Sequence, residues 1–109
     1  MRNERERREL KRTPFTATIW EERSDGMRPA KAVDICALGM RYERQATKVA
    51  KDREVLLEFC LPDDNRPLKV LGCVAGESVR GSVHSTSVTF AMLAPADAKR
   101  LQRFMSRDA

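Results

Sequence analysis

Glu54-Val55-Leu56-Leu57-Glu58-Phe59-Cys60-Leu61, then Pro62-Asp63-Asp64-Asn65-Arg66-Pro67, then Leu68-Lys69-Val70-Leu71-Gly72-Cys73-Val74-Ala75 is the stretch that decides the fold class of this chain. The first run is apolar and strand-length, bounded on both sides by polar residues. The middle segment is the strongest turn signal in the sequence: proline presets φ, and Asp and Asn side chains bond their own backbone. The third run resumes the strand pattern. Strand, turn, strand reads as an antiparallel hairpin, because a parallel crossover needs a helix-length connection that is absent here.

The same grammar continues in both directions. Toward the C-terminus, Gly76–Gly81 reads as a further turn and His84–Met92 as the last strand. The period then changes. Pro95 suits the first turn of a helix, and Asp97 complements the positive end of its dipole. Ala98, Leu101, Phe104 and Met105 recur at helical spacing, and Arg103 and Arg107 suit the negative end. The apolar stripe of this helix either lies on the β layer or receives a partner. Toward the N-terminus, polar Gln45–Asp52 is a connection, Leu38–Tyr42 a strand, and Ala30–Cys36 the strand before it. Gly39 between them suits a kink or a positive φ. Ser24-Asp25-Gly26 is a turn, and Thr13–Trp20 is the first strand, with Pro14 tolerated near its start. Short strands at this spacing predict an antiparallel barrel or sandwich and not alternating βαβ units.

Composition bounds the rest. The 109 residues make one domain, 41% hydrophobic and 34% charged, with a net charge of +5. No apolar run approaches the roughly 20 residues of a membrane span. Met1–Arg12 is charged with no apolar stretch behind it, so it does not read as a secretory signal. That segment holds Arg2, Arg5, Arg7, Arg8, Lys11 and Arg12 against Glu4, Glu6 and Glu9, and so carries +3 of the +5. It reads as a mobile basic arm (1–12) ahead of the globular part (13–109), and a basic arm attracts an anionic partner. Its interleaved glutamates would repel duplex phosphates, so DNA is not the expected partner.

Cys36, Cys60 and Cys73 are too few and too scattered, with His84 the only histidine, for a zinc site or a disulfide framework. Free thiols suit a reducing cytoplasm. Cys60 and Cys73 read as small core residues, and Trp20 as a core aromatic. Gly72–Ser78 has glycines but the wrong spacing for a phosphate loop, with Glu77 where lysine is required. No nucleophile, base and orienting group come together, and His84 lies far from Cys36 in sequence, so an enzyme is not expected.

Two short motifs remain. Arg8-Glu9-Leu10-Lys11-Arg12 places arginines four apart, and Asp34-Ile35-Cys36-Ala37-Leu38-Gly39 follows. In this order they resemble the R-x-x-x-R and D-x-S-x-x-G signature of PilZ domains, bacterial receptors for cyclic di-GMP, with Cys36 in the serine position. The resemblance extends roughly from Arg5 to Arg107, through Leu71–Val74, Val88-Thr89-Phe90 and the closing helix. It implies a mainly β fold: a six- or seven-stranded antiparallel barrel with a C-terminal helix, over whose outer face the arm clamps a dinucleotide.

The chemistry of the residues suits such a ligand. An arginine fork grips phosphate bidentately, reads guanine O6 and N7, and stacks on bases. Arg8 and Arg12 are the arm's candidates. Arg7 is a third, which in the family is associated with a stacked pair of ligands. Asp34 would accept from guanine N1–H and N2–H, or would cap backbone N–H groups. Gly39 would bring backbone close to the ligand or serve a turn. Arg41 on the next strand either adds a phosphate contact or is plainly exposed. A thiol donates more weakly than a hydroxyl, so Cys36 predicts weakened binding and Cys36→Ser tighter binding. The stacking aromatic common in the family is replaced here by Ala75 and Gly76. The expected protein is a non-catalytic cytoplasmic receptor, monomeric or homodimeric, without membrane insertion or cofactor, acting on a downstream protein partner in motility or biofilm control. The rival readings are a degenerate PilZ domain working as a ligand-independent interaction module, and a basic barrel binding single strands. The 6% aromatic content opposes the last.

Overall fold

A computed structural model describes residues 12–62 and 64–107. Seven strands and one helix follow in chain order: β1 Thr13–Pro14, β2 Thr18–Arg23, β3 Gly26–Cys36, β4 Gly39–Gln45, β5 Glu54–Phe59, β6 Leu68–Arg80, β7 Val83–Met92 and α1 Pro95–Arg107. All pairings are antiparallel. The sheet runs β3-β2-β5-β6-β7-β4, and β4 pairs back onto β3, so six strands close into a barrel. Two-residue β1 adds to β3 beside its Asp34–Ile35 segment. Closure removes the free edges that an open sheet would have to protect.

The hairpin that decided the fold class is present. Glu54–Phe59 pairs with Cys73–Leu68 in continuous register. Strand periodicity fills the barrel: Ile19, Ile35, Met40, Leu57, Leu68 and Val70 point inward and are almost wholly buried. α1 seals the end of the barrel where β5 finishes and β6 begins. Leu101 joins the core, and Phe104 meets Phe15 edge-on at 5.5 Å, which in turn meets Phe59 at 5.8 Å. Arg100 tethers the helix: its Nε and Nη2 donate to Asp64 Oδ2 at 2.9 and 2.7 Å, and its Nη1 donates to Asp97 Oδ1 at 2.8 Å.

Several sequence expectations are corrected. The first strand is broken: β1 ends at Pro14, and β2 begins at Thr18 and continues through Glu21, Glu22 and Arg23. β6 does not stop at Ala75 but runs to Arg80, and the turn falls at Gly81, whose φ of 58° is the left-handed conformation glycine tolerates. Gly39 has no positive φ. It is needed for a different reason: a Cβ there would collide with the Val88 carbonyl oxygen and lie 3.2 Å from Thr89 Cα, because β4 and β7 approach closely at Gly39↔Thr89. Trp20 is exposed, since the alternation of β2 turns Ile19 and Glu21 inward. Cys60 and Cys73 are exposed as well. Cys73 pairs with Glu54 on the outer face, and Cys60 lies just past the end of β5.

The end of the barrel opposite α1 is filled by an ionic cluster that the sequence reading did not anticipate. Glu21 is fully buried, and its Oε2 accepts from Arg23 Nη2 at 3.0 Å, from Arg44 Nη1 at 3.3 Å and from the Tyr42 hydroxyl. Arg28 Nη1 lies 3.6 Å from Glu21 Oε1. Arg23 also donates to Ala50 O at 2.8 Å and to Glu77, and His84 Nε2 lies 3.4 Å from Glu77 Oε2. Burial opposes ionisation of Glu21, but the hydrogen bonds from Arg23 and Tyr42 and the charges of Arg44 and Arg23 outweigh it and hold the carboxyl below its ordinary value. Burial together with the Glu21 carboxylate pushes the Tyr42 phenol up. The signal was available: period two puts Glu21 and Arg23 on the face of Ile19, and Tyr42 and Arg44 on the face of Met40.

Candidate functional site

The site residues on the globular part gather where β1, β3 and β4 meet. A β-bulge creates the arrangement. Ala32 pairs with Tyr42, but the next pair is Asp34 with Arg41, so Val33 is the extra residue. Without it, strict alternation from inward Ala32 would turn Asp34 into the core and Ile35 outward. The bulge reverses both: Ile35 pairs with inward Met40, and Asp34 stands opposite Arg41 on the outer face.

Asp34 is then held from two sides. Its Oδ1 accepts from Arg12 Nη1 at 2.7 Å, and its Oδ2 from Arg41 Nη2 at 2.8 Å. The carboxylate is 11% exposed, while the Arg12 and Arg41 side chains are 47% and 49% exposed. Arg12 is positioned by backbone pairing: it immediately precedes β1, whose Thr13 and Pro14 register with Ile35 and Asp34. The link is completed by Phe15 N–H donating to Val33 O at 3.2 Å. Among the described residues each guanidinium gives one Nη to Asp34, and both side chains stay about half-exposed. A carboxylate has about four acceptor positions, and two are used among the described residues.

An open groove of about 570 Å³ begins at Arg41 and is walled by Glu43 and by Ser78, Arg80, Ser85 and Ser87 from β6 and β7. This volume lies within the roughly 300–1,000 Å³ typical of small-molecule sites. Glu77 on its wall reaches inward to Arg23 and His84, so the groove touches the buried ionic cluster. Sequence reading missed Ser78, Ser85 and Ser87, since scattered serines on strands carry no motif.

The other sequence candidates divide. Cys36 pairs with Gly39 across the β3–β4 turn and is buried at 4% exposure. Gly39 is buried, with the side of its Cα where a Cβ would stand directed at β7. Arg7 and Arg8 lie outside the described residues. Ala75 and Gly76, at the place of the missing aromatic, are exposed. Among the described residues no group of three or more His, Cys, Asp and Glu is placed to hold a metal ion, and no helix is long and apolar enough to cross a membrane.

Comparison with known proteins gives a consistent answer on the fold. Neither a family model nor a curated protein matches the sequence. Solved structures do. The inhibitor of motility MotI from Bacillus subtilis superposes with a TM-score of 0.76 at 14% identity, over 88% of this chain and 48% of that one. The PilZ domain of YcgR from Escherichia coli, solved with c-di-GMP, superposes with a TM-score of 0.72 at 14% identity, over 90% of this chain and 88% of that one. PlzA from Borreliella burgdorferi, solved in complex with c-di-GMP, gives 0.66 at 10% identity over 95% and 55%. The chain thus spans about half the length of MotI and PlzA and nearly all of the YcgR domain. Identities this low speak for architecture and leave function to the site itself. On strand order, barrel closure, closing helix and these superpositions, the chain is folded as a PilZ-type domain.

Proposed function

We propose that the protein is a non-catalytic receptor for cyclic di-GMP, with Arg12, Asp34 and Arg41 as the centre of its site. The observation that carries this reading is Asp34, turned outward by the Val33 bulge and gripped between two half-exposed arginines. Asp34 presents the two guanidinium forks in a set orientation, which suits bidentate contact with phosphate. Its unused acceptor positions suit guanine N1–H and N2–H. The groove beside Arg41 has room for the rest of a dinucleotide. The arm, residues 1–12, brings Arg7 and Arg8 over the bound ligand, and Gly39 and Cys36 shape the floor beneath it. A ligand that holds the arm down binds one state better than the other, and so alters affinity for a downstream protein partner.

Isothermal titration with cyclic di-GMP, with GTP and cyclic di-AMP as controls, tests this. Selective binding of micromolar strength or better, about −8 kcal/mol, supports the receptor. No heat from a folded sample sinks it. Two observations favour a second reading, a ligand-independent interaction module: both Asp34 oxygens already have partners and Cys36 is buried. The same titration separates the two.

A further inference from the structure

We infer that the barrel face carrying Trp20, Met27, Leu56, Leu71 and Met92 is a docking surface for a basic, apolar-anchored segment of another protein. This does not rest on the cyclic di-GMP reading. The face lies on β2, β5 and the outer ends of β3, β6 and β7, away from Asp34.

Registers place the apolar residues in one row, broken only at Glu22. Met27 pairs with Glu22, Glu22 with Leu56, Leu56 with Leu71, and Leu71 with Met92. Paired residues of antiparallel strands share a face, so these five positions form one row across five strands. At about 4.8 Å per strand the row is roughly 19 Å long. The adjacent row adds Pro29 and Trp20, followed by Glu58 and Lys69. Trp20 is 46% exposed, Met27 57%, Leu56 48% and Met92 70%. Isolated exposed apolar residues are ordinary, but four in one row beside a tryptophan are not. A hollow of about 200 Å³ lies between Trp20, Met27 and Leu56, large enough for one apolar side chain.

Charge identifies the occupant. Glu22 interrupts the row, and Glu54 and Glu58 flank it, against Lys69 alone, on a chain whose net charge is +5. Among the described residues, none of these three glutamates is ion-paired, although arginines elsewhere on the chain take partners. A second copy of the same face would bring glutamate against glutamate, and an anionic lipid surface would be repelled likewise. A segment with an aliphatic or aromatic anchor flanked by Lys or Arg satisfies both features. A helix of about 13 residues matches the row's length.

The test is selection of randomised peptides of about this length, displayed on phage, against the full chain. Expected are peptides with apolar anchors and flanking Lys or Arg. They should bind Leu56→Ser and Trp20→Ser at least about tenfold more weakly, as truncation of central anchors does. The charge-reversed Glu22→Lys/Glu58→Lys variant should lose them, and Asp34→Ala should keep them. Trp20, Glu22 and Leu56 are exposed and Glu58 partly so, so unchanged melting temperatures will show that the variants fold; Met27→Ser is the substitute should one fail. No enrichment over Leu56→Ser overturns the proposal. So do peptides indifferent to charge reversal, binding to anionic vesicles through this face, or a concentration-dependent dimer that Leu56→Ser abolishes.

Discussion

Glu21→Ala should unfold the domain at a much lower temperature, and its neighbour Glu22→Ala should not. The two residues are chemically identical and adjacent, but Glu21 is fully buried and Glu22 exposed. Removing the Glu21 carboxylate deletes the acceptor for Arg23 Nη2 at 3.0 Å, for Arg44 Nη1 at 3.3 Å and for the Tyr42 hydroxyl. Arg23 keeps Glu77 and Ala50 O, whereas Arg44, 5% exposed at its side chain, keeps no carboxylate among the described residues. Breaking a buried ion pair costs about 3–5 kcal/mol. Because Arg23 retains other partners, the lower end applies, about 3 kcal/mol. That is a large part of a domain stability of roughly 5–15 kcal/mol. At about 4–8 °C per kcal/mol for a domain near this size, the midpoint should fall by about 12–24 °C. Thermal melts and urea titrations followed by circular dichroism measure both variants, and Glu22→Ala should stay within about 0.5 kcal/mol of the parent. Equal shifts would refute the account of the cluster. A further arm replaces Glu21, Arg23, Tyr42 and Arg44 together by apolar residues of similar volume; stability should then largely return, because the pair's net worth is small even where its disruption is costly.

Other outcomes follow from the same geometry. Asp34→Ala should weaken cyclic di-GMP binding about 150-fold, corresponding to about 3 kcal/mol for two charge-assisted hydrogen bonds, while the melting temperature moves little because Arg12 and Arg41 can rehydrate; retention within about threefold by titration calorimetry would remove Asp34 from the site. Gly39→Ala should destabilise by about 1–3 kcal/mol in urea titration, as overpacking against the Val88 carbonyl forces β4 from β7, and a neutral result would mean that the strands separate freely there. Glu21 has a folded pKa below its unfolded one, so its contribution is present above the unfolded pKa, near 4.5, and is lost as pH falls through the lower folded value. Acid titration of the parent should therefore show a loss of stability below about pH 4.5 that is smaller in Glu21→Gln, the remainder coming from carboxyls such as Asp25 and Asp64 that are also held low.

The sequence made some of this plain and concealed the rest for identifiable reasons. The β5–β6 hairpin was legible because alternation and turn chemistry agree at Glu54–Leu68. α1 was legible because Pro95, Asp97 and the stripe through Phe104 all agree. β2 was cut short because Glu21 and Arg23 look like surface residues, although their spacing from Ile19 places them inside. Gly76 looked like a turn, yet the chain bends at Gly81, where φ is positive. Burial habits failed for Trp20, Cys60 and Cys73, since strand parity outranks residue type in a thin barrel. At the candidate site, Arg12 and Asp34 were named from the motifs and Arg41 from its place on the following strand. Their meeting could not, because a bulge is a property of two strands in register and Val33 gives no local sign of it.

The barrel is stoppered differently at its two ends. α1 closes one with Leu101, Phe104 and Phe15; Glu21, Arg23 and Arg44 close the other with charge. Urea weakens the first kind of closure and protonation the second. Which end breathes first is therefore set by the medium and not by the chain alone. Glu77 stands in both the groove wall and the charged stopper, so a change that loosens the stopper is felt at the wall of the groove as well.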